Sequence, residues 1–166
     1  SNTIFVFVGD HGLRGDAGSL FPRSFTEQGI LAEHVPLLFY APQLLPARKV
    51  RSVASQLDIL PSLAYLSGRS ALNTTFGRNL FDTADNKQHF SFIADPDRLT
   101  IGLVSDSFYF SKHLRTGNEN FVSVTDDNAV SKNPNLDSVR NNMSRLTEAW
   151  YQTALYLLVN NRKRNR

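Results

Sequence analysis

Asp10 and His11 stand side by side in IFVFVGDHG (residues 4–12), between Gly9 and Gly12 and directly after five apolar residues. A carboxylate oxygen and an imidazole nitrogen at adjacent positions form a donor set that suits Mn²⁺ or Zn²⁺ and, less well, Mg²⁺. The flanking glycines remove side chains, so backbone and ligand can approach closely. A blander reading uses the same residues: Asp10 caps the following turn and His11 hydrogen-bonds the backbone. A motif this short leaves both open. Arg14 and Arg23 follow in a stretch over 9–33 that is rich in Gly, Ser and charge. Either guanidinium can grip a phosphate bidentately or remain solvated. His89 and His113 flank short apolar segments and read as surface histidines, while Asp58 reads as a helix cap and Arg78 as a loop or packing residue.

These groups need elements to hold them. The apolar run 4–8 reads as a strand buried on both faces of a parallel sheet, and VPLLFYAP (35–42) reads as a second. In an open α/β sheet the ligand site lies beyond the carboxyl ends of the strands, where Asp10 and His11 fall. SQLDILPSLAYLSG (55–68) predicts a short core-facing helix near 58–67, with Asp58 as N-cap, Pro61 in the first turn, Ile59, Leu60, Leu63 and Leu66 on one side, and Gly68 as the stop. HFSFIA (89–94), TIGLV (100–104), SFYFSK (107–112) and NFVSV (120–124) are short strand candidates separated by turn residues, the pattern of an antiparallel meander. From about 137 to 161, Val139, Met143, Leu146, Trp150, Ala154 and Leu157 recur at steps of three and four, which predicts an amphipathic helix packed on that meander through Trp150. TADNKQ (83–88) marks the expected boundary between an α/β part (1–85) and the meander with its closing helix (86–166).

Composition bounds the function classes. The chain has 166 residues with 41% apolar content, enough for a buried core, and no cysteine. Disulfides and thiolate metal sites are therefore excluded, but the compartment is not fixed. Arg162, Lys163, Arg164 and Arg166 outweigh the net charge of +3 by themselves. The basicity is thus a terminal tail, expected to be dispensable for folding, and no basic patch interleaved with aromatics points to nucleic acid. No uninterrupted apolar run of about 18 residues is present, so membrane attachment is expected only through segments outside this chain.

Four segments in order resemble one family. NTIFVFVGDHG, HVPLLFYAP, SQLDILPSLAYLSG and GRNLF, over about residues 2–82, resemble the C-terminal portion of the sulfatase branch of the alkaline phosphatase superfamily. Within it they are most similar to bacterial lipoteichoic acid synthase and phosphoglycerol transferase proteins. The resemblance implies an α/β fold: the C-terminal portion of an alkaline phosphatase-like parallel sheet with flanking helices, plus a small antiparallel sheet and a closing C-terminal helix. It implies that Asp10 and His11 are ligands of a catalytic divalent metal (Mn, Zn or Mg). Related folds use a histidine after this pair for a second metal or for the substrate phosphate, which gives His34 a place at the substrate's charged oxygens; Arg14 is a further substrate-binding candidate from its place in the loop. The nucleophile and a further acidic ligand are expected in an N-terminal part that precedes this chain, so no catalytic nucleophile is expected within it. An open sheet edge at the first strand follows.

The implied activity is phosphoglycerol transfer from a lipid donor through a covalent enzyme ester, on the extracytoplasmic face of a bacterial cytoplasmic membrane. Two alternatives stand beside it. One is hydrolysis of sulfate or phosphate esters by the same metal pair; the other is a sulfatase-like module that binds without catalysis. These residues alone are expected to be inactive.

Overall fold

Residues 3–82, 88–127 and 136–160 are described by the computed structural model. The expected boundary segment falls largely outside them, over 83–87, and so does the basic tail at 162–166. The fold is mixed α/β, with a four-stranded antiparallel sheet, a two-stranded sheet and a C-terminal helix.

The meander forms where the short apolar runs predict it. Strands β3 (Ser91–Asp95), β4 (Thr100–Val104), β5 (Phe108–His113) and β6 (Glu119–Ser123) pair in sequence order, each antiparallel to the next. Their turns carry their own hydrogen bonds. Asp95 Oδ1 accepts from the Asp97 and Arg98 amides at 3.0 Å each, and Ser105 Oγ accepts from the Phe108 amide at 3.0 Å. Such side-chain to backbone bonds make Asp and Ser strong turn formers.

Helix α4 (Asp137–Asn160) lies across β4 and β5. Its stripe is the predicted one. Met143 is fully buried with Leu103 and Phe110, and Val139, Leu146 and Trp150 pack around them. Trp150 stacks on Phe76 at 4.5 Å between centroids and lies 6.3 Å from Phe92, which ties the helix to both halves of the chain. Arg140 reaches Glu119 at 3.1 Å, and Lys112 pairs with Glu148, at the margins of this contact.

The first half departs from expectation in several respects. Strands β1 (Phe5–Val8) and β2 (Leu37–Tyr40) do form, but they pair antiparallel to one another, with Phe5 opposite Tyr40 and Val8 opposite Leu37. The cause is the return path. Between the strands, α1 (Arg23–Glu27) and α2 (Ile30–Glu33) are only about one turn each, and the chain re-enters at the end where β1 stopped, as shown by Gly9 N–H donating to Pro36 O at 3.2 Å. A parallel neighbour would need a crossover back to the other end. Nor are the strands buried on both faces: Phe5, Phe7, Leu38 and Tyr40 share one face of this ribbon and are 51–57% exposed.

Helix α3 (Ile59–Leu66) follows a 3₁₀ turn (Gln56–Asp58), and its start differs in detail. Ser55 supplies the cap, accepting from Leu57 N–H at 3.2 Å, while the buried Asp58 carboxylate turns back to accept from Ser55 N–H at 2.8 Å. This is a reciprocal capping box. The other Asp58 oxygen accepts from Arg78 N–H at 2.7 Å, and Leu80 N–H donates to the fully buried Ser62 hydroxyl at 2.9 Å. The buried side of α3 is therefore polar and binds the 77–80 segment, while Leu60, expected in the core, is 68% exposed. Gly77 permits that approach, because a Cβ there would lie 1.9 Å from the Leu57 carbonyl oxygen.

Candidate metal-binding site

The turn after β1 is built on backbone. Gly12 N–H donates to Ala32 O at 2.6 Å, and a Cβ on Gly12 would lie 2.1 Å from Leu31 O, so the chain passes the end of α2 closer than any side chain allows. Here the glycine serves packing against the protein's own backbone. With both flanks seated, Asp10 and His11 project outward, their side chains 91% and 75% exposed.

The local hydrogen bonds expected of the pair form. Asp10 Oδ1 accepts from His11 N–H at 3.0 Å, and His11 Nδ1 lies 2.8 Å from Gly12 O. A carbonyl can only accept, so Nδ1 carries the proton and Nε2 keeps its lone pair. Nε2 is 3.8 Å from Asp10 Oδ2. Two donors each about 2.1 Å from one ion lie at most about 4.2 Å apart, so the pair fits as two ligands of a single divalent cation. Among the described residues no group of three or more His, Cys, Asp or Glu side chains completes such a site. The electrostatics are local: the His11 amide holds the Asp10 carboxyl below its ordinary value, and the Gly12 carbonyl, then the Asp10 charge, push His11 above its own.

His34 lines the same cleft, of about 1810 Å³, as Asp10 and His11. Its ring meets Phe21 and Phe25 edge-on, at 5.2 and 5.6 Å between centroids. Arg14 stands apart: it pairs with Asp97 at 2.5 Å and borders a separate, smaller cavity with Arg98. Arg23 holds Asp127 through its backbone amide at 2.7 Å and its guanidinium at 3.4 Å. The arginines thus fasten the 9–33 excursion to the meander. Beneath them Ala17, Phe25 and Ile30 form a small core with Tyr109, whose phenol is pushed up to about 12 by burial. His113 Nδ1 accepts from the Arg115 and Thr116 amides at 3.1 Å each, a turn role.

One contact at the site had no counterpart in the sequence reading. The Gln56 side-chain amide donates to Gly9 O at 2.7 Å and to Asp10 O at 3.3 Å. Its partners lie 47 and 46 residues away, so no local pattern announces it.

The fold resembles part of two solved structures. One similar solved structure is a protein in complex with its substrate D-glucosamine-2-N,6-O-disulfate, at a TM-score of 0.53 and 14% identity over 92% of this chain and 34% of that one. Another is a 2-O GAG sulfatase, at a TM-score of 0.50 and 19% identity over 95% of this chain and 36% of that one. The chain thus spans about a third of the length of each, 34% and 36%. No family model and no curated protein matches the sequence. At these identities the likeness concerns the fold alone.

Proposed function

We propose that these residues are the C-terminal part of a metal-dependent enzyme that acts on anionic esters outside the cytoplasmic membrane of a bacterium. The observation that carries the reading is the Asp10–His11 pair: two exposed donors 3.8 Å apart at the end of β1, in a chain of sulfatase-like fold. Asp10 offers a charged oxygen and His11 a neutral nitrogen, while His34, on the same cleft, faces the ester's charged oxygens. Arg14 joins His34 on substrate by leaving Asp97. When bound, the divalent ion supplies positive charge for the ester oxygens and for an ionised hydroxyl nucleophile. That nucleophile and the remaining ligands come from an N-terminal part, for which the exposed Phe5, Phe7, Leu38 and Tyr40 face is the seat. Residues 1–85 then belong to the catalytic domain and 86–166 to its closing subdomain.

The motifs of residues 2–82 favour phosphoglycerol transfer from a lipid through a covalent enzyme ester. A second reading, hydrolysis of sulfate esters, is favoured by the sulfated sugar and the GAG sulfatase named for the two structural neighbours. The test uses the full-length enzyme reconstituted with Mn²⁺ or Zn²⁺, assayed in parallel on a phosphoglycerol lipid with a glycan acceptor and on sulfated monosaccharides. Asp10→Ala and His11→Ala are each expected to lose bound metal and turnover while circular dichroism stays unchanged. Normal metal content and turnover in the folded double variant would refute the reading. Bound metal without turnover of any ester would leave a non-catalytic module instead.

A further inference from the structure

We infer that Gln56 is a positioning residue for the metal-binding pair, an inference that rests on Asp10 and His11 being metal ligands. Its amide faces two carbonyl oxygens, Gly9 O at 2.7 Å and Asp10 O at 3.3 Å. Carbonyls only accept, so the amide nitrogen must point at them. The Gly9 and Gly12 amides are tied to Pro36 O and Ala32 O, but those bonds lie at the two ends of the turn. Gln56 grips the carbonyls between them and so sets the peptide planes from which the Asp10 and His11 side chains project.

The grip is itself anchored. Gln56 opens the 3₁₀ turn closed by the Ser55–Asp58 capping box, and Asp58 is locked to Arg78 N–H. Arg78 returns a guanidinium bond to Val53 O at 2.9 Å, in the segment that leads into the turn. A rigid turn thus carries one exposed side chain to the backbone of the ligand pair. Partners that orient metal ligands typically change metal affinity about 10- to 100-fold when removed.

The chemistry dictates the diagnostic variant. Gln56→Glu keeps shape and length but sets a carboxylate against two carbonyl oxygens, while Gln56→Met keeps the length and removes the donors without repulsion. The experiment is Mn²⁺ titration calorimetry of the full-length enzyme, with the melting temperature of the metal-free protein measured alongside and Asp10→Ala as reference. Affinity is expected to fall about 10-fold or more in Gln56→Glu and by less in Gln56→Met, at an unchanged metal-free melting temperature. Wild-type affinity in both Gln56 variants while Asp10→Ala loses the metal would overturn the inference alone. An affinity loss that only follows a lowered melting temperature would overturn it too, reducing Gln56 to a brace. Wild-type affinity in Asp10→Ala would instead bring down the metal reading beneath it.

Discussion

The ribbon of β1 and β2 and the meander under α4 contain similar residues and bury them very differently. In the meander, Leu103, Phe110 and Met143 are fully buried by one sheet face and one helix. In the ribbon, Phe5, Phe7, Leu38 and Tyr40 stay 51–57% exposed, with Phe5–Phe7 and Phe5–Tyr40 ring contacts, each at 6.4 Å, over that face. An isolated two-stranded hairpin is marginal in water, whereas three or more strands with a covered face can stand alone. The chemistry-bearing residues are thus carried by the less self-sufficient half.

That contrast can be broken most sharply by core truncation. Phe110→Ala should cost about 3–5 kcal/mol, against about 1 kcal/mol or less for Phe7→Ala in this chain, read from urea denaturation. Equal costs would erase the distinction. A Phe7 cost that rises in the longer enzyme would sharpen it, by showing that the ribbon's face is covered there.

Alkali tests the meander through Tyr109. Its folded-state pKa is raised from 10.0 to about 12 by burial, against a hydrogen bond with Ser111 that acts the other way. The folded protein therefore holds a proton that the unfolded chain has released. Stability is intact below pH 10 and declines as pH rises through about 12, by up to about 3 kcal/mol, with Tyr109→Phe flattening the decline.

At the ribbon the large effect is on ligand rather than stability. Asp10→Ala and His11→Ala should each remove most metal affinity yet leave the urea denaturation midpoint unchanged, since both side chains are exposed. Binding needs Nε2 unprotonated, and His11 is raised above its ordinary 6.5 by the Gly12 carbonyl and the Asp10 charge. Metal binding should therefore weaken as pH falls through a value above 6.5, and titration calorimetry across pH checks it. The smallest expected effect is deletion of residues 162–166, within about 0.5 kcal/mol by thermal melting.

What the sequence announced follows from the range of the forces involved. The α4 stripe from Val139 to Trp150 was legible because helical periodicity is local, and the meander because turn residues punctuate it at short intervals. The antiparallel sense of β1 and β2 was not, since it depends on where a 28-residue connection returns the chain. Asp58 looked like a cap because its type suits one; that Ser55 takes the role and Asp58 reaches Arg78 depends on a segment 20 residues on. Asp10 and His11 were visible from residue type and flanking glycines. The Arg14–Asp97 pair was hidden for the same reason that Gln56 was missed, because Asp97 lies 83 residues away.

The long reach of the fasteners on the 9–33 excursion has a consequence for how the molecule is made. Arg14 meets Asp97, Ser24 Oγ donates to Ser123 O, and Arg23 holds Asp127, at separations of 83, 99 and 104 residues. At about 5–20 residues per second, these partners leave the ribosome about 4–20 s after the residues they fasten. Throughout that interval Phe25 and Ile30 lack the Tyr109 surface that later buries them. The excursion that follows Asp10 and His11 is therefore made well before the partners that fasten it, and its apolar residues stay uncovered until the meander has formed.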